Sequence, residues 1–464
     1  MVPPSYDDLV AENAALRARV AELETRLADL ARRLDEAARA GKRQAAPFRK
    51  GPAQPTPRTP GRKSGDAHGR HGHRPPPPPE RVDEAYDAAL PGACPDCDGP
   101  VAETSVVPQY QTEIPRRPVV RRFNVHVGHC RQCGRRVQGR HPLQTSDALG
   151  AAASQVGPDA QAAAVHLNKG LGLSHGKVAA VFAALFGLDL TRGASAQINL
   201  RAADRLDPAY AEVVEATRAA ERLTADETGW RVAGDTAWLH AWVGGGATCY
   251  AIDPHRGADA LERAIGGDWD GVLVHDGFAA YDRFAEAVHQ GCCAHVLRRA
   301  RELLAGATRG AVRFPRAVID LFGGAVHLRN QFHRGQATAA ELTAARDEFE
   351  DRLLGLVNRS SAVPAYATFA RHLGHYFETW FAFLTAPSIP ATNWEAEQAI
   401  RPAVVNRKVW GGNRTWVGAR AQAVLTSVLE TCRRQARSAL DFVSQALRSF
   451  ANPTLPAPIL IATR

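Results

Sequence analysis

No apolar run in this 464-residue chain is long enough to cross a bilayer. No secretory signal peptide is expected, because the residues after Met1 are proline-rich and acidic and soon become a charged helix. A nucleotide phosphate loop is also missing. Gly176-Lys177-Val178 lacks both the preceding glycine spacing and the Ser/Thr, so no ATP use is implied. Cysteine is sparse: there are eight, four of them paired as Cys-x-x-Cys, which suits a metal better than a disulfide framework in a chain of this size. A reducing cytoplasm is the expected compartment, with no membrane partner.

What the chain has in excess is positive charge. The net charge is +9, which favours a polyanionic partner. The excess concentrates in residues 41–80, with nine Lys/Arg against two acidic residues and ten prolines. No packed element survives that proline density. A basic tether of this kind tracks phosphates without reading sequence, and Pro75 to Pro79 form a stiff spacer. The alternative is a plain solvated linker.

Length and pattern divide the chain into segments. Residues 1–40 read as a coiled-coil dimerisation helix. Leu9, Leu16, Leu23 and Leu30 recur every seven residues, and Asn13, Val20, Leu27 and Leu34 fill the matching series. The single Asn13 favours a two-stranded, in-register coil and hence a homodimer or larger assembly. An amphipathic helix docked on its own chain is the competing reading. The basic arm spans 41–85. Residues 86–142 contain Cys94-Pro95-Asp96-Cys97 and Cys130-Arg131-Gln132-Cys133, joined by a hairpin-like stretch with alternating Phe123, Val125 and Val127 and a turn bracketed by Pro115 and Pro118. Two such knuckles describe a zinc ribbon with four thiolates around a structural Zn²⁺; reduced structural cysteines or a redox pair are the alternatives. Arg116, Arg117, Arg121, Arg122, Arg131, Arg135, Arg136 and Arg140 crowd this module, as in a ribbon that grips DNA.

Residues 143–215 read as helices broken at Gly170, Gly172, Gly187 and Gly193, either a helix-turn-helix or generic helical packing. From 216 to 300 the pattern changes. Strand-like runs near 222–227, 229–234, 237–243 and 247–252 precede a helix at 257–266 and an apolar strand at 271–275. That order is the first part of an α/β, ribonuclease-H-like mixed sheet, in which the first strand and the strand after the first helix are neighbours. Asp226 and Asp276 would then lie side by side, where two carboxylates repel unless a cation sits between them. Taken singly, each aspartate is equally a turn or cap residue. Residues 301–390 read as a helical insertion with an aromatic core. Residues 391–450 hold a core helix and C-terminal helices, and 451–464 a tail. Asn393, Glu397 and Arg401 share a helix face that Pro402 should end or kink; Glu395 points elsewhere, as a solvated charge. Asn393 and Arg401 would orient Glu397 or touch DNA, and Arg407, Lys408 and Arg414 follow as candidate phosphate contacts. Cys249, Cys292, Cys293 and Cys432 read as buried thiols; a Cys292/Cys293/His295 ligand set lacks a fourth partner nearby.

The zipper, Pro60 to Lys63, the double knuckle, Asp-Glu-Thr-Gly-Trp (226 to 230), His-Asp-Gly (275 to 277), Cys-x-x-His (292 to 295) and Ala-Glu-x-Ala-Ile-Arg-Pro (396 to 402) occur in one order. In that order the chain resembles transposases of the insertion-sequence-66 family, up to about residue 450. Trp394 and Gln398 depart from the Asn and Arg common there. The resemblance implies a DDE transposase with Asp226, Asp276 and Glu397 as catalytic ligands of two Mg²⁺ or Mn²⁺ ions. Double-stranded DNA (terminal inverted repeats and target), element-encoded accessory proteins and a nucleoid-associated location come with it. The rival readings are a zinc-ribbon DNA-binding protein with a decayed core and a structure-specific nuclease.

Overall fold

The computed structural model describes residues 12, 15–27, 29, 75–112, 118–150, 155–359 and 361–461. Leu9, Asn13, Leu30 and Leu34 of the heptad series, the arm up to residue 74, and Pro115, Arg116 and Arg117 lie outside them. The chain divides into two units, Met1–Glu113 and Ile114–Arg464.

In the first unit a helix, α1, covers residues 15–27. Leu16, Val20, Leu23 and Leu27 are all exposed along it, and Arg19 and Arg26 both pair with Glu22. Residues 75–78 are extended and lead into a short 3-10 turn at Pro79–Arg81.

The second unit opens with a two-stranded antiparallel hairpin, β1 (Val127–His129) and β2 (Arg136–Gln138). The hairpin flanks the second Cys-x-x-Cys pair instead of filling the interval between the pairs. The knuckle is its turn: the Cys130 N–H donates to Arg135 O at 2.8 Å, and Gly134 takes the left-handed conformation that the turn requires. Helices follow as α2 (Pro158–Val165), a π turn over His166–Gly170, α3 (His175–Phe186) and α4 (Arg192–Arg218). Ser174 and Thr191 cap α3 and α4 with their side-chain oxygens. Gly187 ends α3 in a left-handed cap. Gly193 breaks nothing, because it lies in the first turn of α4 behind that cap.

A mixed sheet forms the centre. Its strands are β3 (Arg222–Val232), β4 (Asp235–Gly244), β5 (Ala247–Asp253), β6 (Val272–His275) and β7 (Val288–Gly291), in the order β5-β4-β3-β6-β7. β3, β4 and β5 are antiparallel; β6 runs parallel to β3, and β7 to β6. The two runs expected at 222–227 and 229–234 are one strand, because β3 pairs with β4 without interruption from Thr224↔Val243 to Val232↔Asp235. Helix α5 (Ala258–Ile265) crosses between β5 and β6.

One sheet face packs Leu223, Ala225 and Trp242 against α4 and α12 (Trp416–Arg434), and α13 (Ala439–Ala451) extends this core against α2, α4 and α12. The other packs Trp230, Leu239 and Ala241 against α11 (Trp394–Trp410). Between β7 and α11 lie α6 (Cys293–Ala305), α7 (Arg313–His333), α8 (Ala339–Val357), α9 (Pro364–His375) and α10 (Ala382–Thr385). They close over Phe322, Trp380, Phe381 and Phe383, so the aromatics of this stretch are core. Pro402 does not end α11, which runs on to Trp410. Burial of Ala396, Ala399, Ile400 and Ala403 against the sheet holds the helix through the missing hydrogen bond. No helix among the described residues is long and apolar enough to cross a membrane.

Candidate active site

Alternation along β3 decides where each side chain points. Leu223 and Ala225 pack toward α4, so Asp226 is aimed at the face covered by α11. The parallel register Thr224↔Val274 carries forward two residues to set Asp226 level with Asp276, just past the end of β6. Three hydrogen bonds, one from a side chain and two between backbones, then bring distant segments to this edge. Asn393, fully buried at the start of α11, donates Nδ2–H to Ala225 O at 3.3 Å. The Cys292 N–H donates to His275 O at 2.8 Å, and the Cys293 N–H to Ala391 O at 2.9 Å. The starts of α6 and α11 are thereby fixed beside the two aspartates, and Glu397 follows one turn into α11.

The electrostatics record this convergence. Burial, with Glu227, Asp276 and Glu397 around it, pushes the Asp226 carboxyl up to about 7. The Asp226 carboxylate accepts the Glu227 N–H, and Asp276 Oδ1 accepts the Phe278 N–H at 3.0 Å in a turn through Gly277, whose φ is positive. Glu397 Oε1 lies 3.6 Å from His295 Nε2 and 3.8 Å from an Arg298 guanidinium nitrogen. Glu227, on the opposite face of β3, is buried and bound by Arg256 and Tyr281; its pKa is raised, chiefly by burial and then by Asp276.

A cavity of about 350 Å³ opens beside Asp276, lined among others by Cys292, His295, Arg299, His372 and Trp380. Arg298, Arg299 and His372 escaped the sequence reading. For the arginines a signal existed: positions three and four after His295 on one helix share its face. Nothing local marks His372, which comes from the helical insertion. Glu395 is not a solvated charge, since it pairs with Arg434 at 2.9 Å and lies 3.8 Å from Arg222. Arg401 lines a separate cavity of about 960 Å³ with Lys169, Gln398 and Gln422. Arg407 is half-buried and donates to Thr228 Oγ1, whereas Lys408 and Arg414 are exposed.

The cysteine turns, each taken within its own unit, are alike. The Cys94 N–H donates to Gly99 O and the Asp98 N–H to Cys94 O; Cys130 pairs in the same way with Arg135 and Gly134. Backbone N–H groups within each turn hold the leading thiol, Cys94 or Cys130, below the ordinary thiol range. Arg121, Arg122, Arg131, Arg135 and Arg136 are exposed around the second turn.

A mixed sheet that gathers acidic side chains from within one strand, from just past the end of its neighbour and from a distant helix defines an α/β protein with a carboxylate centre. The model of the IS66 transposase family matches residues 153–421, and the chain belongs to that family. It is also similar to the uncharacterized protein y4qI of Sinorhizobium fredii (strain NBRC 101917 / NGR234), at 27% identity over 302 residues, or 57% of this chain and 54% of that protein. The chain thus spans about half the length of this curated relative.

Proposed function

We propose that the protein is a DDE transposase that binds the terminal inverted repeats of its element and carries out metal-dependent DNA cleavage and strand transfer on a ribonuclease-H-like core. One observation carries this reading. In a chain of the IS66 family, Asp226 is half-buried level with Asp276 and its carboxyl is pushed up to about 7 by burial and by neighbouring acids, Asp276 and Glu397 among them. A carboxylate cluster so crowded fits divalent cations, which remove the mutual repulsion. Asp226, Asp276 and Glu397 would hold two Mg²⁺ or Mn²⁺ ions. Such ions, when bound, polarise the scissile phosphate and lower the pKa of the attacking water.

The rest of the work falls to the chain itself. Asn393 fixes the start of the Glu397 helix on β3, and the Gly277 turn fixes Asp276. Lys408 and Arg414 contact phosphates, as do the arginines around Cys130, in keeping with their exposure. The cysteine turns act as zinc knuckles, as their spacing and lowered thiols favour. The exposed Leu16, Val20, Leu23 and Leu27 stripe serves self-association.

The test uses a plasmid with the element's own ends and Mg²⁺ or Mn²⁺. Wild type should cleave at the ends and join them to target, and Asp226→Asn, Asp276→Asn and Glu397→Gln should not. Repeat binding with no cleavage by wild type would leave a DNA-binding protein. Cleavage without joining or end preference would leave a nuclease.

A further inference from the structure

We infer that Cys292, His295 and Glu397 form a second kind of cation site, suited to a thiophilic divalent ion such as Zn²⁺ or Co²⁺. One ligand atom from each lies within 4.8 Å of the others. A thiol, an imidazole and a carboxylate make a borderline-soft donor set, whereas Mg²⁺ takes oxygen ligands. The Cys292/Cys293/His295 set lacks a fourth partner nearby in sequence; in the fold Cys293 packs into the core, and Glu397, brought from α11, joins Cys292 and His295.

The local fold supports the set. Cys292 caps α6 and His295 sits in its first turn, so the two side chains leave neighbouring positions of one helix end. The backbone ties to His275 and Ala391 fix that helix end. His295 Nδ1 is buried with no hydrogen-bond partner, and Nε2 faces Glu397 at 3.6 Å. Cys292 and His295 also line the Asp276 cavity, leaving a further coordination position open toward it. Arg298 stands 3.8 Å from Glu397 and competes for it, but more than half of its side chain is in solvent and can swing away.

Binding would release the thiol proton to solvent. A consequence rests on the proposed function: Glu397 serves one ion or the other, so a thiophilic ion here withdraws the third carboxylate from the catalytic metals and inhibits cleavage.

The experiment titrates the full-length protein with Co²⁺ alone, following the thiolate-to-cobalt charge-transfer band and the bound stoichiometry. Wild type should bind one equivalent more than Cys292→Ser. His295→Gln and Glu397→Gln should weaken that equivalent at least about tenfold, and Glu395→Gln should keep it. His295 is partly exposed, so its variant reports even if the buried Cys292 position tolerates no change. Equal stoichiometry and spectra across wild type, Cys292→Ser and His295→Gln would overturn the assignment. Because the readout is binding, it stands apart from cleavage: Co²⁺ uptake with an inert triad would sink the transposase reading and leave this site in place.

Discussion

Tyr281 donates its phenolic hydrogen to Glu227 Oε2 at 2.8 Å, across 54 residues of sequence. Arg256 closes on Oε1 of the same carboxylate at 2.6 Å, and its guanidinium lies over the Trp238 and Phe278 rings. Glu227 is therefore held by two partners immediately behind Asp226, and it is one of the acids that raise the Asp226 carboxyl. Tyr281→Phe leaves a buried carboxylate short of one donor. The expected cost is about 1–3 kcal/mol of stability, read by chemical denaturation. Unchanged stability would mean that Arg256 alone satisfies the group.

Glu395 and Glu397 sit two residues apart on α11 and face different partners. Glu395 meets Arg434 and Arg222, whereas Glu397 meets His295 and Arg298. Glu395→Gln should lower stability by no more than about 1 kcal/mol and leave end cleavage intact. Glu397→Gln should cut cleavage by roughly a hundredfold or more with little change in folding. Loss of cleavage in the Glu395 variant instead would move the third ligand by half a helical turn.

Much of the sheet was legible because strands announce themselves by apolar runs that end at turns. The run ending at His275 and the helix near 257–266 were visible in this way. The split into runs at 222–227 and 229–234 misled, since β3 is seen to be unbroken only along the full length of its β4 partner. Pro402 does not end α11 as a local rule allows, because the apolar face of the helix is packed on the sheet. The acidic positions could be named from motifs. Their surroundings were legible only in part: Asn393 and Cys292 stood out by spacing, but the hydrogen bonds that bring them to the aspartates, and His372 from the helical insertion, are encoded by no local pattern. The four-residue offset from Asn393 to Glu397 places both at the start of α11, yet Arg401 on the same spacing lines the other cavity.

Lys169 gives the protein a pH dependence of its own. The ammonium is buried, donating to Gln422 Oε1 at 2.7 Å and lying 5.1 Å from the Trp410 ring centre. Burial pushes its pKa from 10.5 down to about 7. Between those values the unfolded chain binds the proton and the folded chain does not, so this group makes stability rise with pH across the window. Below about 7 both states are protonated and the full penalty for burying the charge applies. Denaturation midpoints of wild type should climb from neutral toward alkaline pH, and Lys169→Met should flatten that climb. Parallel slopes in the two proteins would show that Lys169 keeps its charge in the fold.

Gly172 and Gly187 separate two reasons for glycine. Both have positive φ, +72° and +60°, which an L side chain adopts at a cost. Around Gly187, at the end of α3, a new Cβ would meet nothing within 4 Å, so Gly187→Ala should cost about 1 kcal/mol from the backbone alone. At Gly172 the same atom would lie 1.9 Å from Asn406 Oδ1 and 2.8 Å from its Cγ. Asn406 is itself buried on α11, so it has little room to retreat. Gly172→Ala should therefore cost roughly 2–4 kcal/mol and lower the melting temperature well beyond the Gly187 variant. Because the displaced residue belongs to the helix that carries Glu397, the variant should also lose cleavage activity at temperatures where it remains folded. Equal melting temperatures for the two variants would mean that Asn406 moves aside freely, and that the close approach of this loop to α11 constrains neither element.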